Sequence, residues 1–436
     1  MARVHLGPLQ RAIVVENPSL VLDEQLSAAG VTVTRLAETP TTSALIAHIN
    51  ETGAQAIFKR SRVPVTRALI EACPSLLAVQ LCCIGDDSVD KQACADHGIM
   101  VFNDPISNGR SVVEMVIAHL LSLSRRFYET NDRTRHGVWE KNNHQRYEVK
   151  GKVLGVLGLG NIGRSVARVA GALGMTVQFF DSRQVSLELG RELGWTATES
   201  VDALFSTSDY VTVHLSARDI HGTSNAALLS PETLMRLGES RPENSPRIFL
   251  NLSRGFLHTS EALRAAVTSG QIRRAAVDVY PEEPRGGSNW VNPYADLPQV
   301  VTTPHIGAST QEAQPRIARR VSQTFGEFSG LGALRDCVFA PRVGLSLPTR
   351  RDSGVVLAVV HSTARGTKRS IDNAIFDAGA SNLASAHRDF EDLGVAYDLA
   401  MLDKGLTADE IQGLLASAAA VTGDPNAIRS VRQITI

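Results

Sequence analysis

Residues 153–163 read Val153-Leu-Gly-Val-Leu-Gly-Leu-Gly-Asn-Ile-Gly163, and no other segment of the 436-residue chain is as informative. An apolar run leads into the glycine pattern, and apolar residues at helical spacing follow it. Gly158 permits a tight turn, Gly160 the close approach of a pyrophosphate, and Gly163 close packing of helix against strand. The pyrophosphate would meet the free N–H groups at the start of that helix. This segment therefore predicts a dinucleotide-binding βαβ unit.

An acidic residue stands where such a unit needs one. Asp181 ends the next predicted strand, 18 residues after Gly163. A carboxylate at this place accepts hydrogen bonds from the adenosine ribose and repels a 2′-phosphate. We therefore expect NAD as the cofactor rather than NADP, although Arg183, two residues further on, weakens that preference slightly.

The residues around this unit predict a doubly wound, Rossmann-type parallel sheet. Helices such as Arg164–Gly174 and Ser260–Ser269 separate most of its predicted strands. Turn-rich stretches at Gly238–Pro246 and Arg285–Asp296 are predicted as surface loops. The six predicted strands are Val153–Leu157, Thr176–Phe180, Tyr210–Leu215, Ile248–Leu252, Ala275–Val279 and Val300–Thr303.

A second α/β region precedes the first, and a long helix from Ser111 to about Thr130 connects the two. Short β-branched runs alternate here with helical stretches, which favours parallel strands with crossover helices. Its predicted strands are Ala12–Val15, Val31–Leu36, Ala56–Phe58, Leu76–Leu81 and Ile99–Phe102. Its predicted helices are Leu22–Ala29, Thr42–Asn50 and Val65–Ala72.

A third region follows a predicted linker at Leu345–Gly354. Its elements run in the order β-α-β-β-α-β, which is the ferredoxin-like unit. The predicted elements are Val355–His361, Lys368–Asp377, Leu383–Phe390, Val395–Leu402, Ala408–Ala420 and Val431–Ile436.

Composition narrows the function classes. Lys and Arg total 44 and Asp and Glu total 45, and this balance argues against a nucleic-acid-binding protein. We expect no signal peptide and no membrane span, because no apolar run is long enough. Five cysteines, few and odd in number, favour reduced thiols in a cytoplasmic protein. They show no metal-ligand spacing, so we expect no metal site.

Three polar residues follow predicted strands of the Rossmann-type sheet, where ligands bind in open α/β sheets. Arg254 could clamp a substrate carboxylate with two hydrogen bonds. His305 could exchange a proton with an alcohol or carbonyl during hydride transfer. Glu283 would orient that imidazole and raise its pKa. Together with the glycine pattern, this set predicts a dehydrogenase active site.

The chain resembles the NAD-dependent D-2-hydroxyacid dehydrogenases over residues 10 to 345, and within them the branch acting on 3-phosphoglycerate. Several stretches carry this resemblance together. They are Arg60-Ser61-Arg62, Cys83-Ile-Gly85 with Val89-Asp90, Ser107-Asn-Gly-Arg-Ser-Val-Val-Glu114, Gly137-Val-Trp-Glu-Lys141, Ser253-Arg254-Gly255, Asp278-Val-Tyr-Pro-Glu-Glu-Pro284 and Pro304-His-Ile-Gly-Ala-Ser-Thr-Gln-Glu-Ala-Gln314.

The resemblance implies roles for individual residues. Arg254 would bind the substrate carboxylate and carbonyl, and His305 would transfer the proton with Glu283 as its partner. Asp278 would hold the nicotinamide carboxamide. The other implied NAD contacts are Gly158, Gly160, Asn161, Ile162, Gly163, Asp181, Leu252, Ser253, Gly307 and Ala308. The implied substrate and phosphate contacts are Arg60, Ser61, the main chain at Ile84 and Gly85, Asn108 and Lys141.

The family architecture is discontinuous. Residues 1–107 and 308–345 would form a flavodoxin-like substrate domain, and residues 108–307 the NAD-binding Rossmann domain, with the active cleft between them. Residues 354–436 resemble an ACT regulatory domain. The family forms homodimers or homotetramers, and Trp139 would reach a neighbouring subunit.

The implied reaction is the NAD-dependent oxidation of 3-phospho-D-glycerate that begins L-serine synthesis. Two alternatives remain open: another D-2-hydroxyacid dehydrogenase, such as a glyoxylate or hydroxypyruvate reductase, and an NAD-sensing, dehydrogenase-like corepressor. Three departures from the family pattern stand out: Ser216 replaces a proline, Gly109 replaces a threonine, and Gly238–Pro246 resembles an insertion.

The family's serine-binding loop is also altered in the third region. His361 and Asn382 match that site, but Thr363 stands where an amide is expected and Arg365 where a proline is expected. Threonine cannot reproduce the donor and acceptor geometry of asparagine, and loss of the proline leaves the loop less preorganised. We therefore expect an ACT-like fold that supports dimerisation but responds weakly or not at all to serine.

Overall fold

The computed structural model describes residues 2–219, 223–284, 289–341, 343–348 and 353–436. Its contacts divide the chain into two units, residues 108–313 and residues 1–107 with 314–436. Parts of the predicted linker at Leu345–Gly354 and of the predicted loop at Arg285–Asp296 lie outside the described residues. Among the residues described, no helix combines the length and the apolar character that crossing a membrane requires.

The unit of residues 108–313 is built on a seven-stranded sheet in which every pair of neighbours is parallel. The six predicted strands are confirmed to within two residues. The seventh, Thr196–Ala197, was not predicted because two residues carry no recognisable pattern. From one edge to the other the strands are Val300–Thr302, Arg274–Val277, Ile248–Asn251, Tyr210–Val213, Val153–Leu157, Thr176–Phe180 and Thr196–Ala197.

The helix that precedes this sheet differs from the prediction: one long helix from Ser111 to about Thr130 was expected, and this is wrong. Two helices occur instead, and Arg126 lies between them with a φ of 55°. The buried apolar face of the first helix ends at Leu123, so packing no longer forces the helix to continue. The helices are Gly109–Ser124, Phe127–Arg135, Asn161–Ala172, Gln184–Glu192, Val201–Ser206, Pro231–Met235 and Ser260–Thr268, with a 3₁₀ turn at Gly255–Leu257.

The second unit contains a five-stranded parallel sheet whose strands were all predicted. In spatial order they are Thr32–Arg35, Arg11–Val14, Ala56–Lys59, Ala78–Leu81 and Met100–Phe102. The helix Lys91–Asp96 was not predicted, since six residues are too few to show a period. The other helices here are Val21–Ala28, Thr42–Thr52, Arg67–Ala72 and Ala313–Leu331. The last of these begins where the chain returns to this unit after residues 108–313.

The C-terminal region, residues 353–436, has the predicted order of strand, helix, strand, strand, helix, strand. Its helices are Thr367–Asp377 and Ala408–Thr422, with a 3₁₀ turn at Glu391–Leu393. The strands, from one edge of the sheet to the other, are Arg3–Leu6, Ile428–Thr435, Val355–Ser362, Val395–Leu402 and Asn382–Phe390.

The first strand of that sheet comes from the other end of the chain and was not predicted. Arg3–Leu6 pairs in parallel with the C-terminal strand, in register from Arg3 opposite Ser430. The Arg3 guanidinium donates hydrogen bonds to the carbonyl oxygens of Ile70, Cys73 and Leu76. The strand has only four residues, and its two apolar side chains, Val4 and Leu6, are exposed, so its sequence gives little sign of a sheet.

The C-terminal sheet shares a hydrophobic core with the rest of its unit. One face places Ala358 and Tyr397 in the cluster that holds Phe325 and Phe328, while the other face packs against the two C-terminal helices. The Arg432 guanidinium is buried 4.3 Å from the centre of the Phe328 ring, and burial lowers its pKa to about 10. This region is therefore packed against the preceding α/β fold and is not an isolated appendage.

Candidate active site

The glycine-rich turn has the geometry that the sequence predicts. Gly158 has a φ of 91°, and a Cβ at this position would lie 2.6 Å from the carbonyl oxygen of His214. A Cβ on Gly163 would lie 2.1 Å from the carbonyl oxygen of Gly158. Neither position accepts a side chain, which explains both glycines.

The same turn fits a bound pyrophosphate. Gly160 is the N-cap of the helix Asn161–Ala172 and, having no side chain, makes no capping hydrogen bond to the N–H groups at the start of that helix. Asn161 and Ile162 are its first residues. Free backbone donors and the positive end of the helix dipole form a ready anion site, as a dinucleotide requires.

Asp181 lies beside this turn, but its charge is not isolated. Its carboxylate accepts hydrogen bonds from the Leu159 N–H at 2.8 Å and from Arg183 Nε and Nη2 at 2.9 and 2.7 Å. Burial alone would raise the pKa of Asp181, but the contacts with Arg183 hold it below its ordinary value. The carboxylate is thus ionised beside the glycine-rich turn, and the Arg183 guanidinium offsets its charge.

His305 and Glu283 form the central pair of the site. His305 Nδ1 lies 3.0 and 2.9 Å from the two carboxylate oxygens of Glu283. This hydrogen bond raises the pKa of His305 above its ordinary value. Burial alone would raise the pKa of Glu283, but the hydrogen bond from His305 holds it below its ordinary value. Because Glu283 occupies Nδ1, Nε2 is the nitrogen available to a substrate.

The backbone at His305 is in an unusual conformation. Its φ is 54°, in the left-handed region that non-glycine residues seldom adopt. The side chain nevertheless remains half-exposed, with 48% of its surface accessible. Strained backbone that presents an accessible titratable group is characteristic of functional sites.

Asp278 holds the loop that carries His305. Its buried carboxylate accepts hydrogen bonds from Thr303 Oγ1 at 2.6 Å and from the N–H groups of Ile306 and Gly307 at 2.9 and 2.8 Å. The sequence predicted Asp278 as a nicotinamide contact, and its support of the His305 loop was missed. The sequence gave no sign of this second role, because the partners of Asp278 lie on a loop that follows a later strand.

Arg254 is brought to the same strand edge. Its positive charge is close enough to act on the pKa of both Glu283 and His305. The Asn251 side chain fixes the turn, since Nδ2 donates to the Arg254 carbonyl and Oδ1 accepts from the Ser253 N–H. The three predicted catalytic residues therefore occupy one site, with Leu252, Gly307 and Ala308 on its flanking segments.

The predicted substrate residues fall into two groups. Arg60 and Ser61 follow the strand Ala56–Lys59, and Ile84 and Gly85 follow its parallel neighbour Ala78–Leu81. These four residues therefore share one sheet edge in the second unit. Asn108 and Lys141 belong to the unit of the active-site pair. Asn108 is buried, and its Oδ1 has no hydrogen-bond partner among the described residues, while Lys141 is exposed.

Two buried charged residues that the sequence reasoning missed support the Arg60 loop. Glu16 Oε1 accepts hydrogen bonds of 2.6 Å from the N–H groups of Arg62 and Val63. Lys59 Nζ donates at 2.7 Å to the Arg60 carbonyl and to Ser88 Oγ, and burial lowers its pKa. Each charge directly follows or ends an otherwise apolar run, which was the available signal.

Comparisons with known proteins agree with this geometry. Residues 117–307 match the family described as D-isomer specific 2-hydroxyacid dehydrogenase, NAD binding domain. The chain is 35% identical over 329 residues to a D-3-phosphoglycerate dehydrogenase of Haemophilus influenzae, covering 75% of this chain and 76% of that protein. It is 30% identical over 374 residues to the D-3-phosphoglycerate dehydrogenase of Dictyostelium discoideum, covering 85% and 87% of the two chains.

Solved structures support the fold. A glyoxylate reductase from Paecilomyes thermophila matches with a TM-score of 0.65 at 24% identity, covering 76% of this chain and 98% of the other. A D-lactate dehydrogenase from Aquifex aeolicus, solved with NAD and lactic acid, matches with a TM-score of 0.62 at 22% identity, covering 73% and 95%. Both share the mixed α/β architecture with parallel sheets.

Proposed function

The chain belongs to the D-isomer specific 2-hydroxyacid dehydrogenase family, and we propose that it oxidises 3-phospho-D-glycerate to 3-phosphooxypyruvate with NAD, which begins L-serine biosynthesis. The observation that carries this proposal is the pair formed by His305 and Glu283, beside Arg254 and the dinucleotide turn. A protein that only senses NAD has no need of an oriented acid–base histidine. The complete set therefore favours an enzyme over a corepressor.

Oxidation of a 2-hydroxy acid removes a proton from the hydroxyl group and a hydride from C2. NAD, when bound, accepts the hydride. His305 Nε2 takes the hydroxyl proton, because Glu283 holds the proton on Nδ1. Glu283 also stabilises the imidazolium that forms, and the reverse reaction uses that imidazolium as the acid.

Arg254 supplies positive charge where negative charge is needed. Its planar guanidinium matches the substrate carboxylate, and it also polarises the C2 oxygen as a carbonyl develops. Main-chain groups at Ile84 and Gly85 are the further candidates for binding the carboxylate that the family resemblance implies. This division assigns recognition to Arg254 and proton transfer to His305.

The phosphate group requires cations beyond those that bind a simple hydroxy acid. Arg60 and Lys141 are our candidates, with Ser61 and Asn108 as hydrogen-bonding partners. If they bind phosphate, Arg60→Ala and Lys141→Ala will raise the KM for 3-phosphoglycerate more than the KM for 2-hydroxyglutarate. Equal increases for both substrates would show that these residues do not recognise the phosphate.

We further propose the domain roles that the family implies. Residues 1–107 with 308–345 bind substrate, residues 108–307 bind NAD, and residues 354–436 form an ACT-like domain that supports a homodimer or homotetramer. With the altered loop at Thr363 and Arg365, this domain responds weakly or not at all to serine. A cytoplasmic location is consistent with the five cysteines, none of which forms a disulfide.

A substrate panel tests the proposed reaction. Purified protein is given 3-phosphoglycerate, glycerate, 2-hydroxyglutarate and lactate with NAD or NADP, and the reduced coenzyme is followed at 340 nm. We expect the highest kcat/KM for 3-phosphoglycerate with NAD. Preferential reduction of glyoxylate or hydroxypyruvate in the reverse assay would identify a reductase instead, and no turnover of any hydroxy acid would contradict an enzymatic role.

A further inference from the structure

Three side chains that dehydrogenase chemistry does not use converge in the C-terminal sheet. His387 lies directly opposite Asp398 on neighbouring strands, and His361 lies opposite Ala396 on the other side. Residues two apart on a strand share a face, so Asp398 and both histidines point to the same side of the sheet. The nitrogen and oxygen atoms that they offer all lie within 4.8 Å of one another.

The two imidazoles are oriented by acceptors on their far sides. His361 Nδ1 lies 2.7 Å from the Ser362 carbonyl oxygen, and His387 Nε2 lies 3.2 Å from Asp389 Oδ1. A carbonyl or carboxylate acceptor in this place holds the proton on the far nitrogen. This is the usual environment of a metal-ligating histidine, whose second nitrogen donates to such a group.

The near nitrogens of both rings then face the same carboxylate. His361 Nε2 lies 2.8 Å from Asp398 Oδ2, and His387 Nδ1 lies 3.1 Å from Asp398 Oδ1. In a neutral ring whose far nitrogen is protonated, the near nitrogen carries a lone pair. Two lone pairs directed at an anion repel it, so the geometry calls for positive charge between them. Two protons or one divalent cation would supply it.

We propose that His361, His387 and Asp398 bind one transition-metal ion of the Zn²⁺ class. Two imidazole nitrogens and a carboxylate oxygen suit Zn²⁺, Co²⁺ or Ni²⁺, whereas Ca²⁺ and Mg²⁺ prefer oxygen ligands throughout. Two of the three side chains are buried, and the third, His387, gives access from solvent. Three protein ligands leave a fourth position for water or for a small ligand with an amino or carboxylate group.

Two of the spacings between ligand atoms are already close to those of a metal site. Ligand atoms about 2.0–2.1 Å from a tetrahedral Zn²⁺ lie roughly 3.3 Å apart, and the two histidine–carboxylate contacts measure 2.8 and 3.1 Å, with all the ligand atoms within 4.8 Å of one another. Lys368 Nζ lies 3.5 Å from Asp398 Oδ1 and is the competing positive charge. It is half-exposed and also pairs with Asp372, so it retains a partner when the ion binds.

Zinc binding by the untagged full-length protein tests this proposal. Protein stripped with a chelator is titrated with Zn²⁺ in competition with a chromophoric chelator, and Co²⁺ loading is followed by its visible absorption. His387→Gln removes a ligand at a half-exposed position. Asp389→Asn keeps all three ligands and weakens only the hydrogen bond to the far nitrogen of His387. His136→Gln is the matched control, since that exposed histidine lies 3.5 Å from the Asp132 carboxylate and, among the described residues, belongs to no group of three possible metal ligands. Circular dichroism checks the folding of each variant.

We expect one high-affinity ion per wild-type chain and the intense visible bands of four-coordinate Co²⁺. Asp389→Asn should weaken binding by about 10- to 100-fold, His387→Gln should weaken it further, and His136→Gln should leave it unchanged. Absence of binding in the wild type, or equal affinity in all four proteins, would overturn the proposal. The cluster would then be a set of hydrogen bonds around the Asp398 carboxylate, with Lys368 as its cation.

Discussion

Two histidine–carboxylate pairs in this molecule have nearly the same separation and different chemistry. His305 lies 2.9 Å from Glu283, and His361 lies 2.8 Å from Asp398. In the first pair one ring nitrogen is bound and the other is available to a substrate. In the second pair both nitrogens are engaged, the far one by the Ser362 carbonyl. Whether a histidine can exchange a proton with a substrate therefore depends on whether its second ring nitrogen is available, and not on the distance between the histidine and its carboxylate.

The backbones beneath the two histidines differ as well. His305 lies in a loop at a strand end with a φ of 54°, and Asp278 holds that loop from below. His361 lies within a strand that is paired on both sides, in unbroken register with Val395–Leu402 and with a register shift between Val360 and His361 on the side of the C-terminal strand. The first arrangement exposes a reactive nitrogen at the cost of local strain, and the second fixes a ring within a packed sheet.

The largest expected effect follows from removing the exposed nitrogen. His305→Gln keeps a polar side chain of similar size but cannot accept the hydroxyl proton. Turnover of 3-phosphoglycerate should fall about 10²- to 10⁴-fold, while NAD binding, measured by fluorescence quenching, is retained. The control is His136→Gln, at the exposed histidine that directly follows the helix Phe127–Arg135. This variant should turn over substrate at the wild-type rate. A loss smaller than tenfold in folded His305→Gln would remove this histidine from the reaction.

A smaller effect is expected from the support beneath His305. In Asp278→Asn an amide nitrogen replaces one of two oxygens that together accept three hydrogen bonds. A buried donor left without its acceptor costs about 1–3 kcal/mol, so the free energy of unfolding measured with urea should fall by that amount. Turnover should fall as well, because His305 loses its fixed position. Glu282→Gln, at an exposed neighbouring carboxylate, is the control, and equal stability of the two variants would contradict this role of Asp278.

The smallest effect concerns coenzyme choice. Arg183 neutralises the carboxylate that should repel a 2′-phosphate. Arg183→Ala should therefore increase the preference for NAD over NADP by about fivefold, equivalent to roughly 1 kcal/mol. Asp181→Ala should do the opposite, weakening NAD and relaxing the discrimination. Steady-state kcat/KM values with both coenzymes measure this, and an unchanged ratio in both variants would show that neither residue reads the ribose.

The sequence predicted those parts of the structure that depend on local pattern. The parallel strands were predicted from apolar runs. The glycines at 158 and 163 were predicted to leave no room for a side chain, and the structure confirms this. Arg254, Glu283 and His305 were predicted because each follows a strand of one sheet. The resemblance to a known family supplied the individual roles.

What the sequence did not reveal depends on long-range pairing. Arg3–Leu6 joins a strand from the far end of the chain, and only the register of that pairing makes it a strand. The cluster of His361, His387 and Asp398 likewise needs three strands in register, since no short spacing connects its members. The sequence analysis expected no metal site, and it missed this cluster because only the pairing of the three strands brings the residues together.

The measurement that tests this account most directly is the pH dependence of kcat/KM for 3-phosphoglycerate oxidation in the wild type and in Glu283→Gln. Oxidation needs neutral His305, so the rate falls on the acid side as the imidazole becomes protonated. The Glu283 hydrogen bond raises that pKa above its ordinary value of about 6.5. Replacing the carboxylate with an amide should therefore move the acid limb to lower pH and lower the plateau. An acid limb that stays in place, or moves to higher pH, would contradict the assignment of His305 and Glu283 as the proton-transfer pair.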